Sequence, residues 1–190
     1  MTDVAKLCPL PNKAYILLET LITSKTRIRI LLKFFLNPET KTYLRALSGE
    51  LGESSNAVRV ELNRLTEARM LSSEKEGNKL LYRVNELHPL YEPVNALIRQ
   101  YVGVDEIIKN VIKGLGKIEK LYISGTLANG LSSDIIDIVI IGEINIDYLL
   151  ETIDKIEKGI EKKIRYMLYT SDEAQCISFD STNFLLVYAP

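Results

Sequence analysis

Residues 42–84 constrain this 190-residue chain more than any other stretch, because four local signals follow one another there at short, fixed spacing. Tyr43-Leu44-Arg45-Ala46-Leu47 opens a helix whose apolar residues Leu44, Leu47 and Leu51 recur at helical intervals, and Gly52 stops it. Ser54 and Ser55 then offer hydroxyls to the unpaired N–H groups in the first turn of a second helix. Val58, Leu62 and Leu65 form the buried stripe of that helix, while Ser55, Asn56, Arg59, Asn63 and Arg64 fall on the opposite side. Segments 71–76 and 79–84 flank Gly77-Asn78, a pair that tolerates the positive φ angles of a tight hairpin and places Lys75 and Lys79 near its tip.

A helix, a turn, a polar-faced helix and a hairpin in that order resemble a winged helix-turn-helix. The polar face carries side chains able to hydrogen-bond base edges and phosphates in a major groove. The expected DNA-binding residues are therefore Ser54, Ser55, Asn56, Arg59, Asn63 and Arg64 on the reading helix, with Lys75, Asn78 and Lys79 on the wing. The competing reading is a helical bundle with an ordinary surface hairpin, in which the Arg and Asn face is simply solvated. Agreement of several signals in order and spacing favours duplex DNA.

A 46% hydrophobic content suffices for real cores, and a net charge of −1 gives no global basic field toward nucleic acid. Affinity must come from a local patch, for which Lys25, Arg27, Arg29, Lys33, Lys41, Arg45, Arg59, Arg64 and Arg69 are the candidates. Glu50, Glu53, Glu61 and Glu67 are interleaved with them and should weaken nonspecific binding, so a dimer is expected to supply the rest. Cys8 and Cys176 lie far apart with no metal-ligand spacing, and the single histidine, His88, has no second ligand nearby. No metal site is expected. No segment approaches the roughly 20 apolar residues that span a bilayer, and no leader pattern is present, so a cytoplasmic location without membrane contact is expected.

Ahead of the central stretch, residues 12–22 read as a short helix with Ile16, Leu17, Leu21 and Ile22 apolar. Ser24 caps a stronger helix over 25–36 with Ile28, Leu31, Leu32 and Phe35 inward, ended by Asn37-Pro38. Past the wing, a helix over 90–102 carries Val94, Leu97, Ile98 and Tyr101 on one side and closes at Gly103; another follows over 105–115. The pattern then turns to strands at 119–124 and 135–141, a helix at 146–160, a strand at 163–169 and a final apolar segment at 184–188. The expected architecture is α+β: residues 1–88 as the winged helix-turn-helix with its helical extension, 89–115 as connecting helices, and 116–190 as a small α/β domain with a mixed sheet.

Within the second half, Tyr122-Ile123-Ser124-Gly125-Thr126, Ala128-Asn129-Gly130 and Ser133-Asp134-Ile135-Ile136-Asp137-Ile138 resemble the core motif of the minimal nucleotidyltransferase fold. That motif sets a Gly-Ser at a helix start toward nucleotide phosphates and places two carboxylates at i and i+2 of the next strand to hold divalent metal. Here Gly125-Thr126 takes the Gly-Ser position, Asp137 is the second carboxylate, and Ile135 stands where the first belongs. Asp134, three residues before Asp137, points to the other face of a regular strand. The third carboxylate of the neighbouring strand is absent from Ile164-Arg165-Tyr166-Met167-Leu168-Tyr169, and Arg165 adds a cation near the pocket. The resemblance thus implies a dismantled catalytic centre: Gly125, Thr126, Asp134 and Asp137 are a vestigial nucleotide site, no residue is assigned a catalytic or metal-binding role, and an unliganded α/β scaffold is the equal alternative.

Taken together, Ser24-Lys25-Thr26-Arg27-Ile28-Arg29-Ile30-Leu31, Ser54-Ser55-Asn56-Ala57-Val58-Arg59, Glu76-Gly77-Asn78-Lys79, Asn85-Glu86-Leu87-His88-Pro89-Leu90-Tyr91, Gly125-Thr126 and Asp137 resemble ArsR/MarR-type winged-helix regulators fused to a nucleotidyltransferase-like domain. The resemblance implies a prokaryotic regulator that binds double-stranded DNA as a homodimer, with a catalytically inactive C-terminal domain serving as sensor or dimer module and a nucleotide as candidate effector. No cofactor is expected. The alternatives are an active Mg²⁺-dependent nucleotidyltransferase using Asp134 and Asp137, and a nucleotide-responsive module that does not bind DNA.

Overall fold

The computed structural model describes residues 18–105, 107–108, 115–131, 133–160, 162–180 and 183–190. Only the end of the expected 12–22 helix falls within them, as a helical turn at 18–21, and most of the expected 105–115 helix lies outside.

Helix α1 (Lys25–Leu31) begins where Ser24 Oγ accepts the Arg27 N–H, so the serine satisfies a donor the first turn leaves free. It runs directly into a π-helical turn, Leu32–Leu36, whose five residues are all buried. The wider winding loosens the normal carbonyl partners, and side chains replace them: Thr40 Oγ1 donates to Lys33 O at 3.1 Å and Asn95 Nδ2 to Phe35 O at 2.6 Å. The π winding is a departure from the regular helix expected over 25–36.

Strand β1 is a two-residue element, Thr42–Tyr43, and helix α2 spans Leu44–Leu51. Tyr43, expected in the helix, belongs instead to the strand, where it pairs with Leu81. Gly52 ends α2 at φ 63°, and Ser54 Oγ caps helix α3 (Ser55–Glu67) by accepting the Ala57 N–H. Strands β2 (Leu71–Glu76) and β3 (Lys79–Val84) form the hairpin, with Glu76 opposite Lys79 across the two-residue turn. The positive φ falls on Gly77 and not on Asn78, as suits a turn with glycine at its first central position. These elements make a three-stranded sheet in the order β1-β3-β2 and a winged helix-turn-helix. Helix α4 (Tyr91–Val102) follows and stops at Gly103, φ 88°.

The remaining elements among the described residues include β4 (Gly116–Ser124), the four-residue helix α5 (Gly125–Ala128), β5 (Ile135–Ile144), α6 (Ile146–Ile160), β6 (Lys163–Tyr169), α7 (Ser171–Gln175) and β7 (Phe184–Tyr188). They form a mixed sheet ordered β6-β5-β4-β7, parallel between β5 and β6 and antiparallel elsewhere. The apolar face of α6 (Leu149, Ile153, Ile156, Ile160) packs into a core shared with Ile136, Ile138 and Ile140 of β5. On the other face Tyr122 stacks on Phe179 with ring centroids 4.8 Å apart. The chain as a whole is α+β.

One core runs through both halves, joining Phe34 and Phe35 of the π turn to Leu127 and Ile153 of the C-terminal half. The two halves meet closely at Gly130, φ 71°, where a Cβ would fall 2.2 Å from Lys33 Cα. Beside it Asn37 Nδ2 donates to Ala128 O at 3.5 Å. The loop that follows α5 is thus pressed against the backbone of the π turn.

Candidate nucleic-acid interface

Helix α3 turns Val58, Leu62 and Leu65 inward, which leaves Asn56, Arg59 and Asn63 exposed on the far side. These three make no hydrogen bond or ion pair among the described residues. Ser54 and Ser55 are exposed too, but their hydroxyls have structural work: Ser54 is the N-cap, and Ser55 Oγ shares a hydrogen bond with Ser48 Oγ at 3.1 Å, tying α2 to α3. Arg64 is exposed at 60% and lies 3.5 Å from Glu61. Arg59 stands close to the wing, since its charge acts on the Tyr82 hydroxyl of β3; burial raises that phenol's pKa and Arg59 opposes the rise.

The wing presents Lys75, Asn78 and Lys79 to solvent. Lys79 Nζ sits 5.2 Å from the centre of the Tyr43 ring, a cation–π distance, and the Tyr43 hydroxyl donates to Glu76, a bond that raises the phenol's pKa. Tyr43 therefore anchors the wing tip to the start of α2. At its base Arg83 is paired to Glu74 at 2.6 Å.

The basic patch expected from the sequence is smaller than its count. Arg27 is bound to Glu61 at 2.8 Å, Arg29 to Glu53 at 2.7 Å and Lys33 to Glu50 at 2.8 Å, all within the fold. Lys25, Lys41, Arg45, Arg59, Arg64 and Arg69 remain on the surface. Glu61 is likewise no surface acid: it lies on the core side of α3, 5% exposed, and accepts from Ser24 Oγ as well as Arg27 Nε. Burial alone would push its carboxyl up; the hydrogen bonds from Arg27 and Ser24 and the charges of Arg27 and Arg64 outweigh that and hold it below the usual range.

In the C-terminal half, Asp137 of β5 stands opposite Ser124 on one side and Arg165 on the other. Arg165 grips both carboxylate oxygens, Nε to Oδ1 at 2.6 Å and Nη2 to Oδ2 at 3.0 Å. Gly125, φ 67°, lets that carboxylate reach the loop, since a Cβ there would lie 2.7 Å from Asp137 Oδ2. Asp134 is exposed just before β5, where its backbone oxygen accepts the Lys163 N–H and its charge faces Lys162. Burial lowers the Lys162 pKa and Asp134 counteracts it. Each carboxylate thus has a protein cation as its neighbour, and Ile135 is 37% exposed between them in sequence. Among the described residues no group of three or more His, Cys, Asp or Glu side chains is placed to hold a metal ion, and no helix is long and apolar enough to cross a membrane. Thr126 is exposed beside Gly125. His88 Nδ1 accepts the Leu90 N–H at 3.1 Å, a turn-closing role.

No protein-family model and no curated protein matches the chain. Among solved structures, reduced HlyU from Vibrio cholerae N16961 is 17% identical over 46% of this chain and 87% of its own, with a TM-score of 0.35. The adhesin competence repressor AdcR from Streptococcus pyogenes is 19% identical over 51% of this chain and 72% of its own, with a TM-score of 0.37. AF1382 from Archaeoglobus fulgidus is 15% identical over 48% of this chain and 96% of its own, with a TM-score of 0.36. These likenesses are of fold alone and extend over about half of this chain.

Proposed function

We propose that this protein is a DNA-binding transcriptional regulator that engages a pseudo-palindromic duplex as a homodimer. The carrying observation is the uncommitted polar crest of α3, Asn56, Arg59 and Asn63, beside a wing whose tip bears Lys75 and Lys79. In a helix-turn-helix the second helix enters the major groove, and paired copies read half-sites about 34 Å apart. In this reading Arg59 and Asn56 meet base edges, Arg64, Lys75 and Lys79 meet phosphates, and Ser54, Ser55, Asn63 and Asn78 complete the surface. Salt titration of duplex binding separates the roles. Lys79→Ala is expected to weaken all duplexes and to reduce the slope of log K against log salt by about 1. Arg59→Ala is expected to relax sequence preference and cost about 1–3 kcal/mol. A wild-type affinity that ignores salt would count against the interface.

The C-terminal half, in this proposal, is a nucleotidyltransferase-like domain without catalysis that acts as a sensor or dimer module, with a nucleotide as candidate effector at Gly125, Thr126, Asp134 and Asp137. Arg165 occupies the carboxylate that would otherwise face a metal ion. Incubation with labelled ATP, GTP or CTP and Mg²⁺ is expected to yield no labelled product; a product that disappears in Asp137→Ala would establish the enzyme instead.

A further inference from the structure

On the reading helix, Val60 is a feature that hydrogen-bonding chemistry does not use. It follows Asn56 by four residues and precedes Asn63 by three, so all three share one face of α3. That face is opposite the one bearing Val58, Leu62 and Leu65, and Val60 is 40% exposed where those three are buried. Its branched Cβ is a poorer helix former than alanine or a straight-chain residue, and at this position it adds nothing to the core. An apolar, rigid side chain is thus held out to solvent among Asn56, Arg59 and Asn63.

A duplex offers one apolar group on the floor of the major groove, the C5-methyl of thymine. We propose that Val60 is a specificity-determining residue whose methyl groups pack against a thymine C5-methyl next to the base met by Asn56. This rests on the DNA-binding reading and adds to it the chemical identity of one base. Asparagine pairs best with the adenine edge, so the two residue types together favour A·T pairs in the half-site. The stiff χ1 of valine fixes the methyl positions before binding, so contact removes apolar surface from water with little ordering cost.

The test uses the 190-residue protein and a duplex recovered by selection from random sequence. Each thymine of one half-site is replaced in turn by deoxyuridine, which removes the methyl and leaves every hydrogen-bonding group in place. At one position wild-type affinity is expected to fall about fourfold, the effect of one buried methyl-sized group. Val60→Ala, with its fold checked by circular dichroism, is expected to bind the thymine duplex more weakly and to be indifferent to the same replacement. If every replacement shifts wild type and Val60→Ala equally, or shifts neither, the thymine contact is wrong while DNA binding stands. If selection enriches no duplex at all, both readings fall.

Discussion

Replacing Gly130 with valine is expected to lower the stability of the protein by about 3 kcal/mol and its melting temperature by roughly 10 °C. Two effects add. The backbone there is left-handed at φ 71°, which costs an L-residue about 1–2 kcal/mol, more when the side chain is branched. The added Cβ would also fall 2.2 Å from Lys33 Cα and 2.8 Å from Lys33 N, which are backbone atoms of a buried π turn and not the movable end of a side chain. The clash is relieved by lifting the loop that follows α5 off the π turn, which opens the core common to both halves. Because Lys33 reaches Glu50 of α2, duplex binding is expected to weaken alongside stability. Thermal unfolding followed by circular dichroism checks this; a melting temperature within about 2 °C of wild type would show that the seat yields without cost.

Glu61→Ala is expected to destabilise by about 2 kcal/mol, because it leaves the Arg27 guanidinium and the Ser24 hydroxyl without their shared acceptor between α1 and α3. Arg27 is 34% exposed and regains water, which keeps the loss below that of a fully buried pair. The same contact carries a pH signature. The folded Glu61 carboxyl ionises below its ordinary value of 4.5, so its stabilising increment is fully present above that pH and is lost as pH falls through the folded value. Glu61→Gln should therefore be less stable than wild type at neutral pH and converge with it in acid. Urea midpoints measured from pH 7 down to pH 3 test the convergence; parallel curves would assign the loss to packing alone.

The local signals of the winged half were legible because each depends on neighbours in sequence. Ser24 and Ser54 cap as their positions require, Gly52 ends α2, and Gly77 makes the turn between β2 and β3. What the sequence hid depends on partners far along the chain. Arg27, Arg29 and Lys33 count as surface cations until Glu61, Glu53 and Glu50 fold against them, at separations no periodicity encodes. Glu61 had a signal, since it falls on the same helical face as Val58 and Leu62, and an acid in an apolar stripe implies a buried partner. The π turn had none: Leu32-Lys33-Phe34-Phe35-Leu36 is as compatible with an α-helix, and the groups that meet it, Thr40, Asn95 and Gly130, lie outside the segment. In the second half the cation beside Asp137 was legible in Arg165, while the strand order, which depends on pairings far along the chain, was not; helix α7, closed by the Thr170 and Glu173 capping box, was legible at Thr170-Ser171-Asp172-Glu173 and was not anticipated.

Selection of duplexes from a random library, run in parallel on the wild-type protein and Arg59→Ala, examines the exposed crest of α3 most directly. The expected outcome is an enriched sequence with two-fold symmetry for wild type and a loss of preference at one position of each half-site for the variant. Recovery of no enriched sequence by the wild type, or of the same sequence with undiminished preference by Arg59→Ala, would contradict it.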